Sequence, residues 1–248
     1  VRRVRLDVTG STSDEALRLA RQGEPLPLVV TAGRQTEGRG RRGRAWASPP
    51  GGVWLSVAWP ATGAPGSDAG AAIAVALATA EAIEHALGPG APRVLIKWPN
   101  DLLVGGRKVA GVLAERTDAG GEPLTIFGVG VNADFEAPDL PPDLRRPATT
   151  LRDEIGAPVD AGALADALIG GIERALRGID RVGLGRETLV RVAARLAWID
   201  EAVVVRRGDG SELTGRLLGL DDRGAAVLET AAGRVTIAAG EVEAAGPA

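Results

Sequence analysis

The sequence predicts an α+β fold: a mixed β-sheet with helices packed on one side, followed by a small C-terminal β-barrel. Three observations predict it. Residues 93 to 132 read as successive strands joined by tight turns, a hairpin pattern rather than a βαβ one. An Ala-rich apolar helix over 68–87 and an amphipathic helix over 160–177 supply the layer that covers such a sheet. After Trp198 the texture changes to short β-branched runs between Gly/Asp turns, a barrel pattern of about fifty residues. The boundary falls at Trp198 to Ala202, giving units of 1–198 and 199–248.

Taken in order, Val4 to Val8 alternate like a strand. Thr12 and Glu15 have capping-box spacing, so a helix starts there and ends near Gly23. Ser11 and Ser13 could bond a ligand at that helix start, and capping explains their hydroxyls equally well. Residues 26–32 form an apolar strand and Val53 to Trp59 a second one, with Pro60 to Gly66 as a surface connection. Asp68 is placed to cap the helix that runs to about Leu87, apolar nearly all round and therefore buried. A strand then delivers Lys97, Pro99 breaks the ladder, and Gly105-Gly106 turns into a return strand from Arg107 to Glu115. Leu124 to Asn132 is a buried strand with two glycines, which mark close approach of a ligand or another backbone. A loop follows over 133–148. Thr150 and Asp153 suggest a helix start, Leu164, Leu168, Ile172 and Leu176 form one helical stripe, and a further helix spans Arg186 to Ala197. The terminal runs are Val203-Val205, Leu213-Leu220, Ala225-Glu229 and Arg234-Ile237.

Composition narrows the chemistry. The apolar share of 45% and charged share of 25% are those of a globular protein. A formal net charge of -3 argues against a general nucleic-acid binder. With no Cys, a disulfide framework, a thiol nucleophile and a thiolate metal site are excluded. One His, His85, cannot build a multi-histidine metal site, and it lies at a helix end where it faces the dipole. Residues 69–80 come nearest to a membrane span but are mostly Ala and too short, and no signal peptide opens the chain. A cytoplasmic protein is expected. The chain begins at Val1 and has no Met, so its initiator has been removed or it is part of a longer product.

The densest stretch is Gly33 to Trp46, with five Arg and four Gly in fourteen positions. Glycines let a backbone approach a ligand closely, and guanidinium forks clamp carboxylate and phosphate oxygens. The stretch describes a flexible anion-binding loop between two strands of one sheet. It lacks the Gly-Lys-Ser/Thr of a Walker loop. A solvated basic loop or a nucleic-acid patch reads the same residues differently. Lysine is the complementary signal. Only Lys97 and Lys108 stand against 27 Arg, marking places where a compact ammonium does what a guanidinium does not.

Four motifs now stand in order: Ser11-Thr12-Ser13 before a helix, the run from Gln35 through Gly38-Arg39-Gly40-Arg41-Arg42-Gly43-Arg44 to Trp46, Lys97-Trp98-Pro99-Asn100-Asp101, and Arg107-Lys108-Val109-Ala110-Gly111. Gly128-Val129-Gly130-Val131-Asn132 follows. The chain resembles the biotin–protein ligases over about residues 5–155 by motif, and over the C-terminal β unit by position and texture. The resemblance implies a class II aminoacyl-tRNA-synthetase-like sheet and an SH3-like terminal barrel. It implies activation of biotin by ATP, with Mg²⁺, to biotinyl-5′-AMP, then transfer to a lysine of the biotin carboxyl carrier protein or domain of an acyl-CoA or pyruvate carboxylase.

By the same resemblance, Lys97, Arg39 and Arg41 are the catalytic cations on the biotin carboxylate and the α-phosphate. Ser11, Thr12, Ser13, Gln35 and the Gly111 backbone serve biotin. Arg42, Trp46, Asn132 and Lys108 serve ATP and the adenylate, with Trp46 packing on adenine and Asn132 bonding it; Arg42 and Arg44 could instead be structural or face solvent. Asp101 orients the Lys97 turn and Trp98 belongs to the core. The metal ligands are not assigned. The loop is expected to close over the labile mixed anhydride and exclude water.

Ser13 departs from the Asn that often follows Ser-Thr in this family. The first strand starts near Val4, so the resemblance implies a ligase without a DNA-binding domain, no DNA or membrane partner, and homodimerisation as in many members. Three rivals compete. A lipoate–protein ligase-like enzyme shares the chemistry, but the arginine run with Lys-Trp-Pro-Asn-Asp favours biotin. A nucleic-acid-binding module would need stacking aromatics, yet the chain has no Tyr and only Phe127 and Phe135 as phenylalanines. A non-catalytic protein that docks partners through its barrel would bind biotin without ligating it.

Overall fold

The structure is a computed structural model and describes residues 1–61, 68–142, 144, 147–182 and 184–245. β1 (Arg2–Thr9) pairs in parallel with β2 (Leu28–Gln35), with α1 (Thr12–Arg21) crossing between them. β3 (Val53–Pro60) lies antiparallel to β2, and α2 (Asp68–Leu87) follows. β4 (Leu95–Lys97), β5 (Asp101–Val104), β6 (Arg107–Ala119) and β7 (Glu122–Val131) are successive antiparallel strands. Together they make one seven-stranded sheet in the order β1-β2-β3-β7-β6-β5-β4. After α3 (Leu151–Ile155), α4 (Ala161–Val182) and α5 (Arg186–Ala193) comes a second sheet. It contains β8 (Ala202–Arg206), β9 (Glu212–Leu220), β10 (Ala226–Thr230), β11 (Gly233–Ile237) and β12 (Glu241–Ala244). Its order is β11-β10-β9-β8-β12, and β12 lies beyond the runs read from sequence.

Strand alternation sorts the layers. Val29, Val53, Leu55, Val57 and Trp59 join the core formed with α2 and α4, whereas Leu28, Val30 and Ala58 pack on Ala16 and Ala20 of α1. The long helices thus share one face, as expected. Short α1 covers one end of the opposite face and leaves its remainder to the pocket.

Several element ends differ from expectation. Ser11, not Thr12, caps α1: its backbone is extended and its Oγ accepts from the Ser13 amide at 3.3 Å. Glu15 pairs with Arg18 instead of closing a capping box. The Asp68 carboxylate turns to the sheet, accepting from Thr125 Oγ1 at 2.6 Å and from Arg116 at 3.3 Å. α5 stops at Ala193 because the next residues pair with β4: Ile96 N donates to Arg195 O at 2.7 Å and Ala197 N to Ile96 O at 2.9 Å. α2 is 20 residues long, so it is not too short to cross a membrane; its apolar window is 67% buried, between the sheet and α4. The connection from Pro60 to Gly66 lies, past Ala61, outside the described residues.

The core runs without a break into the second sheet, from Ile96 and Trp98 to Val203, Val205, Leu217 and Val242. Trp98 is 2% exposed, and its Nε1 donates to the Gly224 carbonyl at 2.9 Å. That packing brings the start of β12 against the arginine loop.

Candidate active site

The pocket floor is made by what three residues lack. Gly111, Gly128 and Gly130 face it from β6 and β7. A Cβ on Gly130 would lie 2.7 Å from the Trp46 indole, one on Gly111 3.0 Å from it, and one on Gly128 3.1 Å from Ser13 Oγ. Glycine is the residue that permits these approaches.

One end is neutral and polar. Ser11, Thr12, Ser13 and Gln35 line it. Gln35 Oε1 accepts from the Thr12 amide at 2.8 Å and from the Thr12 hydroxyl at 3.0 Å. Behind them the Ser56 hydroxyl, on β3 and fully buried, lies 2.8 Å from Thr12 Oγ1 and 3.0 Å from Ser13 Oγ. Gln35 Nε2 donates to Ser48 Oγ at 2.9 Å.

The arginine stretch, expected as a flexible loop, is a narrow folded arm. Arg39 bridges Ala45, Gly40 N donates to Arg44 O at 2.7 Å, and Trp46 N donates to Gly38 O at 2.8 Å. Arg42 takes the left-handed conformation at φ 59°. Four of the arginines are held by carboxylates or carbonyls from distant elements. Arg39 makes a two-pronged pair with Asp14 and lies 3.7 Å from Glu115; the Asp14 bond raises its pKa against the opposing effect of burial. Arg41 donates to Asn100 Oδ1 and to the Gly240 carbonyl, both at 3.3 Å. Burial lowers its pKa, the Arg42 charge adding to the effect and Glu241 and Asp101 opposing it. Arg44 and Arg42 reach Glu241 at 2.8 and 3.6 Å, so Arg42, expected at the nucleotide, is turned to β12.

The two lysines share one carboxylate. Lys97 Nζ lies 3.6 Å from Asp101 Oδ2, and Lys108 Nζ lies 2.5 Å from Asp101 Oδ1. Lys97, expected with Arg39 and Arg41 as a catalytic cation, is 3% exposed in the pocket wall, whereas the Lys108 side chain is 24% exposed. Lys108 also stands over the Trp46 ring, 4.8 Å from its centroid. Its backbone is fixed by residues 147–149: Lys108 N donates to Pro147 O at 3.0 Å and Thr149 N to Lys108 O at 2.9 Å.

Beyond the cations lie two orphaned polar groups. Asn132 donates through Nδ2 to the Thr149 carbonyl at 3.0 Å, while its buried Oδ1 has no hydrogen-bond partner. Trp46 Nε1 is likewise buried and unpartnered. Such groups are costly in an interior unless a ligand completes them. Leu140, Leu144 and Ala148 form an apolar lip beside them. Among the described residues, no group of three or more His, Asp or Glu is placed to hold a metal ion.

The structure therefore brings the residues singled out from sequence into one pocket, except Arg42, which does not line it, and Trp98, which lies in the core as expected. It adds Ser48, Ser56, Asn100, Asp14, Glu115 and Glu241. Ser56 and Glu241 carry no local signal, one being a small residue inside a strand and the other belonging to the terminal unit.

A neutral hydrogen-bonding end beside a cluster of cations suits a ligand with a polar head and a carboxylate tail. The orphaned amide and indole beyond suit the edge of a nucleotide base. Fold and site define a ligase that activates a carboxylic acid. Residues 5–133 match the Biotin/lipoate A/B protein ligase family and residues 199–244 the Biotin protein ligase C terminal domain. The biotin--[acetyl-CoA-carboxylase] ligase of Paracoccus denitrificans is 38% identical over 240 residues, covering 94% of this chain and 97% of that one. The ligase of the same name from Mycobacterium tuberculosis is 31% identical, covering 94% and 85%. The solved structure of biotin protein ligase from Aquifex aeolicus in complex with biotin and ATP superposes with a TM-score of 0.81 at 26% identity, covering 98% and 97%. The chain belongs to the biotin/lipoate A/B protein ligase family, in its biotin–protein ligase branch.

Proposed function

We propose that this protein joins biotin to ATP as biotinyl-5′-AMP and passes the biotinyl group to a lysine of a biotin carboxyl carrier domain of an acyl-CoA carboxylase, in the cytoplasm. One observation carries the reading: a hydroxyl and amide end built from Ser11, Thr12, Ser13 and Gln35 opens beside the Lys97, Lys108 and Arg41 cluster in a single pocket. The ureido head sits at the neutral end, against the Gly111 backbone, and the carboxylate reaches the cations.

In the first step a biotin carboxylate oxygen bonds to the α-phosphorus, and the bond from that phosphorus to the bridging oxygen breaks, releasing pyrophosphate. Two anions must meet, so cations that stabilise the developing charge are the main catalytic requirement. Lys108 and Arg41 present theirs to the pocket, with Arg39 at the rim. Lys97 acts from the wall, where it shares Asp101 with Lys108 and adds its field to the same site. Asn132 Oδ1 accepts from the adenine amino group, with Trp46 packed beside it. In the second step the acceptor amine attacks the acyl carbon and AMP leaves. The folded arm from Arg39 to Trp46 keeps water from the mixed anhydride.

Among the described residues magnesium finds no protein-built cage. The pocket carboxylates, Asp101 and Glu241, already face lysines and arginines, so the ion would arrive with the triphosphate and its own waters.

The test is exchange of labelled pyrophosphate into ATP with biotin, lipoate or octanoate as the acid. Exchange with biotin alone is expected. Exchange with lipoate in its place would assign the chain to the lipoate branch, and exchange with none would leave only a biotin-binding role.

A further inference from the structure

The hydroxyl cluster behind the pocket has a direction. The Thr12 amide can only donate, and it meets Gln35 Oε1 at 2.8 Å, so that atom is the oxygen of the side-chain amide. The Thr12 hydroxyl, 3.0 Å from the same oxygen, places its one proton there. Ser56 Oγ, 2.8 Å from Thr12 Oγ1, therefore donates to it. Ser56 has no second proton, so Ser13, 3.0 Å away, donates to Ser56. On the far side Gln35 Nε2 donates to Ser48 Oγ at 2.9 Å, and Ser48 donates to the Trp46 carbonyl at 3.2 Å. The chain of bonds runs one way, from Ser13 through Ser56, Thr12, Gln35 and Ser48 to Trp46.

Its consequence falls in the pocket. With their protons committed behind them, Thr12 Oγ1 and Ser13 Oγ offer lone pairs to whatever lies in front. We propose that Ser56 is a positioning residue that sets this polarity, so that the head-group end accepts from a ligand N–H and rejects a ligand oxygen at the same place. Ser56 is fully buried and acts through Thr12 and Ser13, which line the pocket. The inference rests on the reading that these residues hold the ureido head of biotin, whose two ring nitrogens are donors. Without the Ser56 oxygen the Ser13 proton loses its acceptor and turns to the pocket, where it opposes a ligand N–H and welcomes an oxygen.

The experiment measures KM and kcat in pyrophosphate exchange for biotin and for the two cyclic carbamate analogues in which one or other ring N–H is replaced by oxygen. Ser56→Ala is expected to raise the biotin KM by about tenfold with kcat within about threefold. Its preference for biotin over one carbamate is expected to fall by about tenfold as well. A packing defect would weaken all three ligands alike; an unchanged preference, or an unchanged biotin KM, overturns the proposal. Ser56→Thr keeps the hydroxyl and is expected to keep the preference, which decides the matter should the alanine variant not fold. Thr12→Val tests the underlying reading separately. If it leaves biotin affinity intact, the head-group assignment fails. If it weakens biotin while Ser56→Ala does not, only the role of Ser56 fails.

Discussion

The Arg44 guanidinium donates to the Glu241 carboxylate at 2.8 Å, joining the arginine arm to the first residue of the last strand. Arg42 reaches the same carboxylate, and Arg41 donates to the neighbouring Gly240 carbonyl at 3.3 Å. Three contacts to one short segment of the terminal unit thus hold the arm down at the pocket wall. Glu241→Gln keeps the shape and removes the charge. It is expected to raise release of free biotinyl-AMP by about fivefold, the effect of losing one partly exposed charge-assisted bond. Leakage at the wild-type level would show that the arm holds itself closed. Arg41→Gly is expected to leak as well, since it removes a cation facing the adenylate.

The two lysines should separate by mutation. Lys108→Ala is expected to lower the rate of adenylate formation by about a hundredfold or more, because it removes a preorganised cation from the reacting oxygens. Lys97→Ala is expected to cost less, about tenfold, because its ammonium acts through Asp101 and from the wall. Single-turnover formation of biotinyl-AMP measures both. Normal yield from Lys97→Ala removes it from the mechanism, and a larger loss at Lys97 than at Lys108 would place the reacting oxygens at the buried ammonium.

The floor glycines divide the pocket. In Gly130→Ala the new Cβ would lie 2.7 Å from the Trp46 indole, displacing the ring. The KM for ATP is expected to rise about tenfold while biotin binding holds. In Gly128→Ala the Cβ would lie 3.1 Å from Ser13 Oγ, so the biotin KM is expected to rise instead. Calorimetric titration with each ligand checks the division; the opposite pattern would reverse the two ends.

Acid should loosen one tie outside the site. Asp134 accepts from the Val159 amide at 3.0 Å and from Arg152 at 3.0 Å. The Val159 bond first, and Arg152 after it, hold its pKa below the usual 3.8. A depressed folded-state pKa means that its contribution is complete above the usual value and is lost as pH falls through the folded one. Asp134→Asn is therefore expected to lower the urea midpoint at neutral pH and to flatten its decline below pH about 4. An unchanged acid slope would mean that other carboxylates govern it.

Some of this protein was legible in its sequence. The strands, the buried α2 and the stripe of α4 follow from periodicities of two and 3.6 residues, which are local properties of a chain that must bury one face. The pocket's main residues were legible too, because Gly/Arg runs, Lys-Trp-Pro-Asn-Asp and paired strand glycines are compact motifs. Element ends were less so. The stop of α5 at Ala193 depends on β4 claiming the backbone of the next residues, and the cap of α1 depends on which serine has extended backbone. Only the tertiary structure decided that Lys108 rather than Lys97 has the more exposed side chain, that Glu241 anchors the arginine arm, and that Ser56 orders the hydroxyls. Each depends on a partner far along the chain: Ser56 is 44 residues from Thr12, and Gly240 is 199 from Arg41. Residue type and spacing report what a short segment can do. Which charge or proton it finally faces is set by the elements that pack against it.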